Sequence, residues 1–170
     1  MWHAYDLDSD ERLVVAAKIL QPQKPKHIHY VQREMDILRR IKNHEHVAGL
    51  ITDFAIPSGI YVLVLEYCGG PSLQLHLEKS VRLKEGDANA ILRQILSAMA
   101  HLNSLGIIHY DMKPSNIMFN DHWIVKVVDF GWSKITNDEI ADGSVELPCL
   151  RGGTTPFKPP EGFRECGIIR

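Results

Sequence analysis

Cysteine is scarce in this chain: Cys68, Cys149 and Cys166 are its three, and they lie far apart. Thiols so spaced build neither a disulfide framework nor a paired-cysteine metal site, and they point to a reducing, intracellular compartment. Long apolar runs are missing as well. LVVAA and YVLVL are among the longest, far short of the roughly 20 residues that cross a bilayer, so no membrane association is expected. The opening MWHAYDLDSD lacks the basic-then-apolar order of a signal peptide. Neither charge dominates. With 19 basic and 21 acidic residues and a net charge of -2, there is no basic tail for a polyanion, and direct nucleic-acid binding is not expected. Glycine is withheld from the start of the chain: none precedes Gly49.

What is present is the composition of a folded chain, 45% hydrophobic and 24% charged, enough for one domain or two small lobes. Residues 12–20, RLVVAAKIL, are β-branched and apolar and break at Pro22 and Pro25, which predicts a buried strand carrying one charge, Lys18. Ile28, Val31, Met35, Leu38 and Ile41 recur at helical spacing, with Glu34 beside the stripe. Residues 47–56 and 60–67 read as two strands turned by Pro57, Ser58 and Gly59. CGGP at 68–71 breaks the pattern and is the candidate hinge. Ala88, Ile91, Leu92, Ile95, Ala98, Met99 and Leu102 then mark a helix over 85–105, stopped by Gly106. IMF at 117 and IVKVV at 124, around Asn120 and Asp121, predict a hairpin, and 132–160 is irregular.

Between the long helix and the hairpin lies HYDMKPSN at 109–116, and DFG follows at 129–131. An acid, an ammonium and a carboxamide crowded into one loop suit the handling of phosphate and its counter-ions. VAAK, the helical Glu34, HYDMKPSN, DFG and PPE at 159–161 occur in the order of the protein-kinase signature set, and the chain resembles that family. LEYC at 65–68, HYD in place of HRD, DFGWSKI and GTTPFKPPEGF are most similar to the Tousled-like serine/threonine kinases, over about residues 13–163.

The resemblance implies an α+β, two-lobed kinase fold that is incomplete at both ends. A partial antiparallel-sheet lobe with one regulatory helix would fill 1–67, a hinge 68–71, and a partial, mainly helical lobe 72–170. It implies that Lys18 binds the α- and β-phosphates of ATP and is held by Glu34, and that Asn116 and Asp129 chelate Mg²⁺. Asp111 would be the catalytic base, Lys113 would neutralise the transferred phosphate, and Thr154 would bridge Asp111 and Lys113. Ala16 and Met118 would sandwich adenine, Leu65 would stand at the gatekeeper place, and Glu66 and Cys68 would offer backbone groups. Leu38, Leu50, His109 and Phe130 match a stacked spine. A serine/threonine kinase acting on a protein substrate follows; by resemblance the substrate is a histone chaperone and the location the nucleus.

Alternatives stand beside these roles. Lys18 at a sheet edge, Glu34 paired with Lys26 or Arg33, and Asp111 and Asn116 as turn residues are the structural readings, and Cys68 reads as an unreactive thiol. A glycine-rich loop and its first strand should precede VAAK, yet only WHAYDLDSDE stands there, which keeps open a pseudokinase or binding fragment. Tyr110 replaces the loop arginine that meets an activation-segment phosphate, so activity is expected without phosphorylation of 133–158.

Overall fold

The computed structural model describes residues 2–5, 14–80, 82–136 and 153–158. PPE, Cys149, Cys166 and the stretch 137–152 fall outside them. β1 (Trp2–Tyr5), β2 (Val14–Leu20), β3 (Leu50–Ile56) and β4 (Ile60–Glu66) form one antiparallel sheet in the order β1-β2-β4-β3. WHAY is therefore a strand laid along β2, where sequence reasoning saw no strand before VAAK. Four residues of mixed polarity carry little periodic signal, and pairing with β2 decides the outcome. The β3–β4 turn closes with Gly59 at φ 80°, its N–H on Ile56 O at 2.9 Å, a conformation that glycine adopts without strain.

Helix α1 runs Pro25–Arg40, starting three residues before the apolar stripe. Proline at the first turn gives up no hydrogen bond, because those N–H groups have no helical acceptor. Arg39 and Arg40 suit the negative end of the helix. Its apolar face, Val31, Met35, Ile37 and Leu38, is buried against the sheet, and Arg39 pairs with Asp53 of β3. Val47 does not extend β3. It bridges Val127 instead, with Ala48 N–H on Val127 O at 3.0 Å and Val127 N–H on His46 O at 2.9 Å.

Beyond the glycine pair, Ser72 caps α2 (Leu73–Lys79) by accepting the N–H of Leu75 at 3.2 Å, a cap worth about 1 kcal/mol. Helix α3 (Glu85–Ser104) has Glu85 and Asp87 in its first turn and is followed by Gly106 at φ 67°, both expected helix-end signals. Ala98 and Leu102 are fully buried, whereas Leu92 of the predicted stripe is exposed. β5 (Ile107–Ile108) pairs with β8 (Lys134–Ile135), and β6 (Ile117–Phe119) with β7 (Val125–Val127). The β6–β7 turn is closed by Asn120, whose Oδ1 accepts the N–H groups of His122 and Ile124 at 3.0 and 2.9 Å.

One apolar cluster joins the two parts. Leu63 and Leu65 of the sheet, Ile37 and Leu38 of α1, Leu102 of α3, Val127 and Phe130 belong to it. Each such side chain contributes about 1.5–3 kcal/mol on burial. A second cluster, Leu73, Ile117, Phe119 and Val125, packs α2 on the β6–β7 hairpin. The cleft described next lies along the seam between sheet and helices.

Candidate active site

Strand alternation puts Ala16 and Lys18 on the same face of β2, where Lys18 lies opposite Leu63. The Lys18 ammonium is 2.6 Å from Glu34 Oε1 on α1 and 2.9 Å from Asp129 Oδ1. Burial would lower the Lys18 pKa, but the two carboxylates outweigh it and hold the amine above its ordinary value. β2 lies inside the sheet, so Lys18 is no edge lysine, and the described ion pair of Glu34 is with Lys18. Asp129 has φ 63°, a left-handed conformation that costs a non-glycine residue about 1–2 kcal/mol. It is kept there by Lys18 and by the N–H of Gly131. Burial opposes ionisation of Asp129, yet these partners depress its pKa.

Asp111 is buried and fully engaged. Its Oδ1 accepts the N–H and the hydroxyl of Thr154, both at 2.8 Å. Its Oδ2 lies 2.7 Å from Lys113 Nζ and accepts Asn116 Nδ2 at 3.0 Å. Lys113 donates in turn to Thr154 Oγ1 at 2.6 Å, so the three side chains close a ring. Burial would raise the Asp111 pKa, and the bonds from Lys113 and Thr154 overcome it. Asn116 also donates to Asp111 O at 2.9 Å, which fixes the amide and leaves its Oδ1 for other partners. This goes beyond a simple Asx turn, because the Asp111 carboxylate holds a segment 43 residues away.

His109 supports this loop from below. Its Nε2 lies 3.1 Å from Val128 O, and its Nδ1 accepts the N–H of Asp111 at 3.3 Å. Those two contacts need the neutral ring with the proton on Nε2, and burial lowers its pKa accordingly. The ring meets Phe130 edge-on with centroids 5.0 Å apart. Leu38 and Phe130 share the main core and Leu50 packs on it, so the four spine positions are brought together. Tyr110, at φ 63°, lies under the Lys134 ammonium, 5.1 Å from the ring centroid.

Ala16, Lys18, Glu34, Leu65, Glu66, Cys68, Asn116, Met118 and Asp129 all line one cleft of about 550 Å³, a size usual for small-ligand sites. Asp111, Lys113 and Thr154 form the adjoining ring, joined to the cleft through Asn116. Burial pushes the Cys68 thiol up to about 11, which fits an unreactive thiol. Among the described residues no three His, Cys, Asp or Glu side chains converge on a metal position. Asn116 and Asp129 supply hard oxygen donors on one wall, the set that Mg²⁺ takes when phosphate oxygens complete its shell.

Sequence reasoning missed what Glu66 does with its side chain. One oxygen lies 2.6 Å from Lys126 Nζ on β7 and the other accepts the N–H of Gly49 at 3.2 Å. The Glu66 N–H is itself taken by Gly49 O at 2.9 Å, leaving only its carbonyl to offer. Gly70 was also missed, although CGGP carried the signal. A Cβ there would lie 2.7 Å from Phe119 O, to which the Gly70 N–H donates at 2.9 Å. Ala48, Tyr67, Ser115 and Val128 also line the cleft; nothing in their residue types announced it.

An antiparallel sheet with one long helix on its inner face, a helical part beyond a glycine pair, and lysine, aspartate and asparagine around the cleft between them define an incomplete two-lobed α+β kinase fold. The chain belongs to the protein kinase domain family, whose model matches residues 5–168. It is similar to serine/threonine-protein kinase TOUSLED of Arabidopsis thaliana, 36% identical over 171 residues, covering 96% of this chain and 25% of that protein. Serine/threonine-protein kinase tousled-like 2 of Homo sapiens is 34% identical over 178 residues, 96% of this chain and 22% of that one. CBL-interacting protein kinase 30 of Oryza sativa subsp. japonica is 33% identical over 164 residues, 95% of this chain and 33% of that one. The chain thus spans a third or less of the length of these curated relatives. No described helix is long and apolar enough to cross a membrane.

Proposed function

We propose that this chain transfers the γ-phosphoryl group of ATP to a serine or threonine hydroxyl of a protein. The observation that carries the reading is the convergence of Lys18, Glu34 and Asp129 on the cleft that Asn116 shares, with Asp111 one hydrogen bond away. Phosphoryl transfer crowds negative oxygens, so the protein's work is positioning and neutralisation. Lys18 binds the α- and β-phosphates, oriented by Glu34. Ala16, Leu65 and Met118 bracket adenine, and the Glu66 carbonyl and the Cys68 backbone meet its polar edge.

Asn116 Oδ1 and the Asp129 carboxylate would hold Mg²⁺, which would supply charge neutralisation along the phosphates. Asp111 receives the acceptor hydroxyl's hydrogen bond. Its depressed pKa makes it a weak base, suited to orienting the hydroxyl and taking its proton late. Lys113 follows the transferred phosphate, and Thr154 holds both side chains in place.

The serine/threonine specificity named for the Tousled-like relatives supports serine/threonine over tyrosine acceptors; a histone-chaperone substrate and a nuclear location are implied by the sequence resemblance alone, and residues 1–67 and 72–170 are proposed as the two lobes about a 68–71 hinge. The test is a thermal shift with ATP and Mg²⁺, followed by radiolabel transfer to a protein acceptor. A stabilisation of several degrees and transfer abolished in Asp129→Asn are expected. A chain that neither shifts with nucleotide nor transfers label refutes the reading.

A further inference from the structure

Beside Asp111 stands a cation that the ring of Asp111, Lys113 and Thr154 does not use. The charged side chains within 109–116 and 153–158, His109 aside, are Asp111, Lys113 and Lys158. Lys113 is consumed by Asp111 and Thr154. Lys158 is half-buried, and no described carboxylate pairs with its ammonium. The short turn Thr155–Phe157 brings it back, with Lys158 N–H on Thr155 O at 3.3 Å. Its position relative to Asp111 is fixed by Gly153, at φ 82°. A Cβ at Gly153 would lie 3.8 Å from Lys158 Cε and 3.8 Å from Asp111 Oδ1. The lysine stem and the catalytic carboxylate thus flank the same point, and Thr154 bonds keep them there.

We infer that Lys158 selects an anionic side chain, carboxylate or phosphate, next to the acceptor hydroxyl, so that the substrate is an acidic peptide segment. The inference rests on the kinase reading of Asp111. A hydroxyl that reacts must come within hydrogen-bond reach of that carboxylate. An extended chain advances about 3.3 Å per residue, which brings a neighbouring side chain within range of Lys158. An anion there satisfies a half-buried ammonium that has no partner among the described residues, whereas a basic neighbour meets like charge. Exposed Phe157 adds apolar surface on the same turn.

The test separates binding from transfer. Eleven-residue peptides with alanine in the acceptor place, and Glu, phosphoserine, Gln or Lys immediately before or after it, are titrated against the whole chain by fluorescence anisotropy. On one flank the Glu and phosphoserine peptides should bind about fivefold tighter than Gln, as one partly exposed charge pair gives, with Lys weakest. That order should flatten in high salt and in Lys158→Gln, and invert in Lys158→Glu. Equal affinity for Glu and Lys peptides, no measurable binding, or an unchanged order in Lys158→Glu overturns the inference. The ratio of Glu to phosphoserine affinity tells which anion is preferred. Matching serine peptides report transfer: an acidic preference in binding without transfer refutes the kinase reading alone, and transfer blind to flanking charge refutes the role of Lys158 alone.

Discussion

Single residues carry the chemistry, and three of them make sharp predictions. Thr154 gives its hydroxyl to Asp111 and accepts Lys113, while its N–H also reaches Asp111. Thr154→Ala keeps the backbone bond and loses the rest, so kcat should fall about tenfold with KM for ATP unchanged; an equal change in both argues against a positioning role. His109 must stay neutral to accept from Asp111. Its folded pKa is lowered below the ordinary 6.5, so the unfolded chain takes up that proton first. Stability is therefore present above pH 6.5 and declines as pH falls below it. Asp111 and Asp129 face His109 and favour its charge, Lys113 opposes it, and burial prevails. His44, lowered by burial and by its neighbour His101, adds to the same slope. Melting temperature should drop from pH 6.5 towards 5, and less steeply in His109→Asn. A further loss follows below about 3.8, the ordinary aspartate value, as Asp111 and Asp129 with their depressed pKa values take up protons. Tyr110 has a buried hydroxyl with no hydrogen-bond partner among the described residues. Tyr110→Phe removes it and keeps the ring under Lys134, so the variant should be as stable as the parent or up to about 1 kcal/mol more so in urea unfolding.

Elements were legible where residue type and spacing agreed. The helix over 85–105, the hairpin at 117–127 and the strand holding Lys18 stand where alternation and helical period put them. β1 and α2 were not marked, because four and seven residues are too short for a period to declare itself. The Glu66–Lys126 pair was hidden for another reason: its members are 60 residues apart and belong to strands of separate sheets. Lys126 is nearly as buried as the core around it, at 8% exposure. Removing Glu66 strands that charge, which costs up to about 3–5 kcal/mol when a buried partner is left alone and less here because Glu66 is partly exposed. Glu66→Ala should therefore melt well below Glu66→Ala/Lys126→Met. Similar melting of the two would show the pair to be energetically idle.

At the scale of the whole molecule, the motifs announced the site but the contacts that assemble it could not be read from order alone. Lys18, Glu34 and Asp129 were named from their sequence company; that one ammonium meets both carboxylates is a product of packing. The ring through Thr154 depends on a loop returning across 43 residues, and loop conformation has no periodic signature. Leu92 was expected to share the α3 stripe, yet stands exposed with Leu96 one turn on, since spacing marks a face without saying what covers it.

The main-chain pairing of His46 and Ala48 with Val127 works as a door hinge. It fastens the loop that follows α1 to the strand that runs into Asp129, so a displacement of the helix would pivot about this point. Glu34 stands six residues before Arg40, about 9 Å up the door at 1.5 Å per residue. A swing of roughly 20° would carry it about 3 Å by that lever, enough to part it from Lys18, while Ile41 at the jamb would scarcely move.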